Sequence, residues 1–174
     1  MIPKTTMPAR PLSKPASVSV GSEPRLIVEL VPSQCWGVNL HEILSRTDWD
    51  KLRRTCYDLA GNKCELCGGV GRRHPVEAHE VWAYDEQTHT QSLQRLIALC
   101  PSCHEVKHIG RAFAVGFGQR ALSHLAMVNG WTKQKALEHK NAAMVQWKER
   151  SSHAWTTDLS WLEGKGVTIP PRGN

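Results

Sequence analysis

Four cysteines occur as two Cys-x-x-Cys pairs, and their spacing is the strongest chemical signal in the sequence. The first pair reads CELC and the second reads CPSC, with 32 residues between them. Zinc binds four soft ligands in a tetrahedron, and two such turns can close one site. A disulfide framework would need an oxidising compartment, which nothing else in the sequence indicates. The spacing therefore predicts a structural zinc ion held by Cys64, Cys67, Cys100 and Cys103.

Three histidines are associated with this predicted zinc site. His104 directly follows the fourth cysteine, and His108 lies four residues later, on the same face of a predicted helix. That spacing is found among metal ligands, although a histidine pair on a helix is more often plain surface. His79 lies on the preceding predicted strand and shares its strand face with Glu77. We expect the zinc site to bring this strand, and with it His79, against the helix.

The elements expected to position these residues run in the order cysteine pair, strand, loop, strand, cysteine pair, short helix. Runs rich in strand formers at 76–84 and 93–100 predict a hairpin with a long connecting loop. Pro101 marks the start of the short helix, and Gly110 is its expected end. The hairpin and the helix together would surround the histidines.

Further elements are expected on both sides of this core. Hydrophobic spacing and capping residues predict an edge strand at 25–32, a helix at 47–60, a helix at 119–129, and a longer helix that begins after Thr132 and reaches about residue 150. Thr47 or Asp48 is the expected N-cap of the first helix. We expect the end of the chain, with Trp155 and Trp161, to pack back as an irregular arm.

Charge and hydropathy narrow the class of partner. The formal net charge of +6 favours a polyanion, but half of the excess lies in residues 1–25, which hold four basic residues and one acidic residue. No apolar run approaches the roughly 18–20 residues of a membrane span, and no apolar signal region is present at the start. We therefore expect a cytoplasmic protein with no membrane partner.

The segment from Cys64 to about Gly110 resembles the HNH endonucleases of the zinc-stapled, four-cysteine type. The resemblance lies in VEAHEVW on the first strand and in LIALCPSCHEVKHIG around the last cysteine pair. It implies a ββα-metal unit, similar to a treble clef. It further implies that His79 activates water as a general base near its ordinary pKa of about 6.5. His104 and His108 would hold a second divalent ion, such as Mg²⁺, Mn²⁺, Ni²⁺ or Zn²⁺.

This resemblance implies a metal-dependent hydrolase of DNA phosphodiester bonds, with double-stranded DNA as substrate and bacterial or phage DNA processing as its setting. Arg72 and Arg73, in the basic turn GGVGRRHP, could contact phosphates, and so could Arg95. A solvated loop is the alternative interpretation of that turn. No helix with base-reading residues is evident.

Two positions depart from the family pattern. Many members have an acidic residue where this chain has Ala78, and Arg95 stands where an asparagine is expected, a role that Gln94 could take. The carboxylate could instead come from one of three nearby residues, Glu77, Glu80 or Asp85. The departures keep open a second function, a catalytically silent zinc-stabilised module that binds nucleic acid. A redox role is less consistent with two cysteine pairs beside a histidine.

The expected fold class is α+β, with one small zinc-braced core and extensions on either side. We divide the chain into a disordered, proline-rich basic tail (1–24), an N-terminal strand and helix (25–62), the ββα-metal core (63–110), and a C-terminal helical extension with an irregular arm (111–174). The length of 174 residues suits one such core better than two full domains.

Overall fold

An antiparallel hairpin forms the centre of the computed structural model, which describes residues 23–169. Strand β1 (Glu77–Asp85) pairs with β2 (Thr90–Leu99), and the short β3 (Thr156–Asp158) adds in parallel to β2. Within the described residues, six helices accompany this sheet: α1 (Leu40–Ile43), α2 (Arg46–Leu59), α3 (Pro101–Lys107), α4 (Ile109–Ala114), α5 (Gly118–Asn129) and α6 (Lys133–Arg150). The predicted α+β class is confirmed. Residues 1–22 of the predicted tail lie outside the described part.

Two hydrophobic cores lie on opposite faces of the hairpin. The first joins the paired cysteines and one face of β2 to α3, α4 and α5, and its fully buried members include Leu99, Ile109 and Leu125. The second joins the other face to α1 and α2, with Trp82 and Leu162 buried in it. The hairpin is therefore held from both sides, which fixes the direction of every side chain along β1.

A bulge in β2 explains why the alternation in its sequence is loose. Val81 pairs with Arg95 but Trp82 pairs with Leu93, so Gln94 is an extra residue. Leu93 consequently joins the same core as Leu96, although one is odd-numbered and the other even-numbered. On β1, by contrast, alternation continues without interruption, and the odd residues before the bulge face α3.

The hairpin connection is shorter than predicted. Only residues 86–89 separate the strands, and the expected long loop is wrong. Oδ1 of Asp85 accepts hydrogen bonds from the backbone N–H groups of Gln87 and Thr88, at 2.8 and 3.1 Å, and His89 takes a positive φ of 48°. The side chain of Asp85 thus stabilises a tight turn. Both strands continue past their apolar residues to reach it.

Helix α2 confirms the predicted helix at 47–60 but has a different cap. It begins at Arg46, and the Ser45 hydroxyl accepts from the backbone N–H of Asp48 at 3.0 Å, so the expected caps Thr47 and Asp48 are wrong. Serine and aspartate have similar capping preferences, and several cappers occur close together here. The packing of Leu52 and Cys56 in the second core selects the register.

Gly110 does not end the short helix. Helix α3 stops because His108 leaves helical geometry, with φ −100° and ψ 37°, and α4 begins at the next residue and contains Gly110. Burial of Ile109 and Ala112 in the first core continues the helical path past the glycine. The chain turns away only near Gly116, whose φ is +88°.

The two helices predicted downstream are confirmed. Helix α5 ends at Gly130, which adopts a left-handed φ of 63°, and the Thr132 hydroxyl caps α6 by accepting from the Lys135 N–H. The arm after α6 packs back as expected, but it also contributes β3, which the sequence did not indicate. No helix among residues 23–169 is both long enough and apolar enough to span a membrane.

The predicted edge strand at 25–32 is not a strand. The segment begins with a bend at residues 25 and 26, and side chains from helices bind its backbone N–H groups: Oδ1 of Asn129 accepts from Arg25 and Leu26, and Nε2 of His139 accepts from Val28. Leu26 is fully buried in the first core. A β-rich sequence forms no strand here because it lies beside helices rather than a sheet edge.

Asn129→Ala should destabilise the packing of the segment at 25–32. The substitution removes the acceptor of two backbone N–H groups and the donor to the Leu26 carbonyl. We expect the free energy of unfolding to fall by about 1–3 kcal/mol, because a part-buried backbone would be left without partners. Urea denaturation measures this, and the exposed Asn141→Ala in α6 is the control, with an expected change within about 0.5 kcal/mol. Equal stability of the two variants would contradict the assignment.

Candidate metal centres

The four paired cysteines converge beside the hairpin. Their Sγ atoms all lie within 4.8 Å of one another, and those of Cys67 and Cys100 are 3.6 Å apart. Zinc–sulfur bonds of about 2.3 Å in a tetrahedron place two thiolates about 3.8 Å apart. The group is therefore close enough to hold one structural metal ion, and the geometry suits zinc.

Local backbone structure brings each pair together. In the first turn the Cys64 N–H donates to the Gly69 carbonyl, and the Gly68 N–H donates back to the Cys64 carbonyl. Gly68 takes a φ of +73°, which a residue with a side chain rarely adopts. In the second pair, Cys100 is the N-cap of α3 and Pro101 its first residue, so the helix presents Cys103.

Electrostatics within the group favour a bound cation. A hydrogen bond from the Cys103 thiol lowers the pKa of Cys64 to about 4, and the same contact raises the pKa of Cys103. Burial raises the pKa of Cys100 to about 11. Four neighbouring thiols cannot all ionise without a positive charge among them, which a divalent metal supplies. His124 adds an outer contact, its Nε2 lying 3.2 Å from Sγ of Cys103.

A second cluster contains all three predicted histidines. One ligand nitrogen from each of His79, His104 and His108 lies within 4.8 Å of the other two. Nε2 of His104 and Nε2 of His108 are 3.1 Å apart. Metal–nitrogen bonds of about 2.0–2.1 Å place two imidazole ligands of a tetrahedral ion about 3.3 Å apart. The hairpin and α3 thus meet as predicted, and the three imidazoles fit a single divalent ion.

Glu77 fixes the orientation of one of these rings. Its Oε2 lies 2.5 Å from Nδ1 of His104, which leaves Nε2 of that ring directed towards the cluster. A carboxylate that binds the far nitrogen of a histidine is the usual outer partner of a metal-bound imidazole. Of the three carboxylates considered as replacements at the Ala78 position, Glu77 is the one that contacts the cluster.

The other proposed replacements are engaged elsewhere. Oε1 of Glu80 accepts from the Leu40 N–H at 3.0 Å, and Asp85 tightens the hairpin turn. Ala78 itself packs against the second core. Glu77, one residue before Ala78 on the strand, is therefore the one carboxylate of the three that contacts a histidine of the cluster.

The expectation that His79 titrates near its ordinary pKa is wrong. The residue is 7% exposed, and its Nδ1 is buried with no hydrogen-bond partner in the part of the chain the structure describes. Burial, with smaller contributions from His104 and His108, lowers the pKa of His79 to about 2. Desolvation also lowers the pKa of His108 to about 4, although the residue keeps an exposed surface. Neutral imidazoles with free lone pairs are metal ligands, whereas a group of such low pKa is a weak base.

Two cavities adjoin the histidines. The tryptophan cavity, of about 590 Å³, is lined by Trp36, Trp82 and Trp147 together with His79. The histidine cleft, of about 410 Å³, is lined by Glu77, His104, Pro101 and Phe117 among others. His108 and Arg111 line both. The cluster therefore lies where two spaces large enough for parts of a substrate meet.

Of the predicted phosphate-binding arginines, only one pair lies near this region. Arg72 and Arg73 are exposed in a loop whose Gly71 packs so tightly on Pro101 that a Cβ would lie 2.6 Å from its ring. Pro101 in turn lines the histidine cleft. Arg95 does not join them, because it forms an ion pair with Glu65 on the first cysteine turn at 2.8 Å.

Arg111 is a site residue that sequence reasoning missed. It lies in α4, three residues after His108, and among residues 23–169 no carboxylate pairs with it. Its charge reaches the cluster, since it contributes to the lowered pKa of His108. The signal that could have found Arg111 is its spacing of three residues from His108. The expected end of the short helix at Gly110 placed Arg111 outside that helix.

Glu77→Gln should weaken ion binding at the histidines. The neutral amide keeps the shape of the side chain but loses the charge that supports His104. Loss of such an outer partner typically costs about 10- to 100-fold in metal affinity. Calorimetric titration with Co²⁺ of protein that carries one zinc per chain, in the four-cysteine group, measures this, with the exposed Glu163→Gln as control. An affinity equal to that of the unaltered protein would show that Glu77 has no such role.

Comparison of the chain with models of protein families, with curated proteins and with solved structures found no match. We therefore infer the function from the geometry of the two clusters and of the cavities beside them.

Proposed function

We propose that the protein is a metal-dependent endonuclease that hydrolyses DNA phosphodiester bonds, similar in its site to the HNH type. The observation that carries the proposal is the triad of His79, His104 and His108 with Glu77 behind His104. Three histidines with a carboxylate partner make up the ligand set of a catalytic divalent ion rather than of a closed structural site. The four-cysteine group has no such open position and serves as the brace.

His79, His104 and His108 would hold a divalent ion, which would supply two effects that phosphodiester hydrolysis needs, a nucleophile at neutral pH and neutralisation of the charge that develops on phosphate. The protein's own contribution is orientation. β1 fixes His79, α3 fixes His104, and the kink after α3 turns His108 towards them. Arg111, with no acidic partner among residues 23–169, is available to bind the phosphate.

His79 takes a different role in this proposal from the one that the family resemblance implies. Its buried, unpartnered Nδ1 and its low pKa favour a third ligand over a general base. A base works best with a pKa near the working pH, whereas a ligand needs only a neutral imidazole. In this role His79 would hold the ion together with His104 and His108.

A catalytically silent module is the second candidate, and two observations favour it. Ala78 offers no ligand, and Arg95 is held by Glu65 instead of taking part in the site. In that case the cysteine brace, the Arg72–Arg73 loop and Arg111 would bind nucleic acid without cutting it.

Cleavage of supercoiled plasmid separates the two candidates. Protein that carries one zinc per chain, in the four-cysteine group, is incubated with plasmid and Mg²⁺, Mn²⁺, Ni²⁺ or Zn²⁺ in turn, beside His108→Ala and the control His41→Ala. Both histidines are exposed, so neither substitution should disturb the fold. We expect nicking with at least one ion, its loss in His108→Ala, and its retention in His41→Ala. Binding without nicking under every ion would support the silent module, and unchanged nicking by His108→Ala would contradict the proposed site.

A further inference from the structure

Two of the tryptophans in the tryptophan cavity present ring faces rather than polar edges. The rings of Trp36 and Trp147 are nearly parallel, with centroids 6.3 Å apart and an angle of 16°. Both indole N–H groups donate to the same acceptor, the Val31 carbonyl, at 3.1 Å each. With the N–H groups occupied, these side chains can offer a ligand only their ring surfaces, and Trp36 leaves 66% of its surface exposed.

Charged groups in the same cavity argue against a purely aliphatic occupant. Lys107 and Glu29 form a buried ion pair there, with Nζ and Oε2 2.5 Å apart, and Glu80 also lines the wall. An aliphatic ligand would cover the second carboxylate oxygens of Glu29 and Glu80, which accept no hydrogen bond within residues 23–169, without offering them a donor. A flat heterocycle satisfies both features, because its faces stack on tryptophan and its polar edges accept and donate hydrogen bonds. The volume of about 590 Å³ lies within the roughly 300–1,000 Å³ of small-molecule sites.

The position of the cavity also indicates that the bound ring carries an anionic group. His108 and Arg111 line it and also line the histidine cleft. A ring bound against Trp36 would therefore share the cavity with His108 and Arg111. An anionic group linked to that ring would lie at the histidines and beside Arg111, which has no acidic partner among residues 23–169. A flat, polar-edged ring linked to a phosphate is a nucleotide.

We propose that the tryptophan cavity binds an unpaired nucleobase adjoining the phosphate at the three histidines, so that the preferred substrate is single-stranded DNA. This inference rests on the proposed function and narrows its substrate. In a duplex the base is stacked and paired, and reaching the cavity would require its extrusion. Tryptophan stacking accepts any base, so the site selects strandedness rather than sequence.

Fluorescence anisotropy tests the inference with a fluorescein-labelled oligothymidylate and a labelled duplex of the same length. The protein carries one zinc per chain, in the four-cysteine group, and no ion at the histidines, so that binding is measured without cleavage. We expect the single strand to bind more tightly than the duplex, and Trp36→Ala to weaken single-strand binding about tenfold. Duplex binding should be unchanged in that variant. Trp36→Phe keeps a ring and should restore most of the affinity, and Met127→Ala, which removes another exposed apolar side chain, should have no effect.

Three results would overturn the inference: equal affinity for the single strand and the duplex, absence of binding to either, or an unchanged single-strand affinity in Trp36→Ala. These outcomes are distinct from failure of the proposed function. Plasmid nicking with no preference for single strands would leave the hydrolase intact and remove the nucleobase site. Loss of single-strand affinity in Trp36→Ala, together with no cleavage of plasmid or of single-stranded DNA under any ion, would keep the nucleobase site and remove the hydrolase.

Discussion

Replacement of Cys103 by serine should leave the chain without its zinc and without a stable fold at room temperature. Cys103 is fully buried, and its Sγ belongs to a group within 4.8 Å of three other thiols. Structural zinc contributes roughly 10–16 kcal/mol in small zinc domains, which is as large as the whole unfolding free energy of a typical domain, about 5–15 kcal/mol. Leucines of the first core pack directly around this group. Circular dichroism and zinc analysis of the purified variant measure both effects.

Cys56→Ala is the matched control for this experiment. Cys56 is 8% exposed on α2, and burial raises the pKa of its thiol to about 11, so it is an un-ionised core residue outside the metal group. Its replacement should cost only the packing of one small side chain and leave zinc bound. A folded Cys103→Ser protein with no zinc would contradict the structural role of the ion.

His79→Ala should abolish both DNA cleavage and ion binding at the histidines. As a ligand, His79 should contribute more than the roughly 10- to 100-fold that an outer partner contributes to metal affinity. As a general base it would contribute to cleavage alone, and ion affinity would stay the same. Calorimetric titration of Co²⁺ into protein that carries zinc in the four-cysteine group alone, beside the plasmid assay, separates the two roles.

Val81→Ala is the control for the buried position of His79. It lies two residues further along the same face of β1, towards the first core, and holds no ligand atom. We expect it to lower stability without changing ion affinity or cleavage. If His79→Ala loses cleavage yet binds Co²⁺ as tightly as Val81→Ala, the general-base role is correct and the three-histidine site is not.

The parts of the fold that followed from sequence were those set by local chemistry. Pro101 favours the first position of a helix, because its fixed φ suits a helix and its missing N–H needs no partner there. Gly130 ends a helix through its left-handed backbone, and the Thr132 hydroxyl caps the start of the next. The geometry of each Cys-x-x-Cys turn is likewise set by its own few residues. These signals were sufficient to place His79 opposite His104 and His108.

Tertiary surroundings decided the rest. The pKa of His79 depends on its burial between the hairpin and α3, which no local pattern reveals. The segment at 25–32 and the strand β3 are defined by neighbours more than sixty residues away, and the tryptophan cavity joins Trp36 to Trp147 across the chain. Arg111 was missed because burial of Ile109 and Ala112 continued the helix past Gly110.

The measurement that most directly tests the three-histidine ion site is the zinc content of the folded protein. Protein saturated with zinc and dialysed against zinc-free buffer should retain two zinc ions per chain by mass spectrometry. A variant with alanine at 79, 104 and 108 should retain one, because the four-cysteine group is untouched. One ion in both proteins, or two in both, would contradict a metal site built from these histidines.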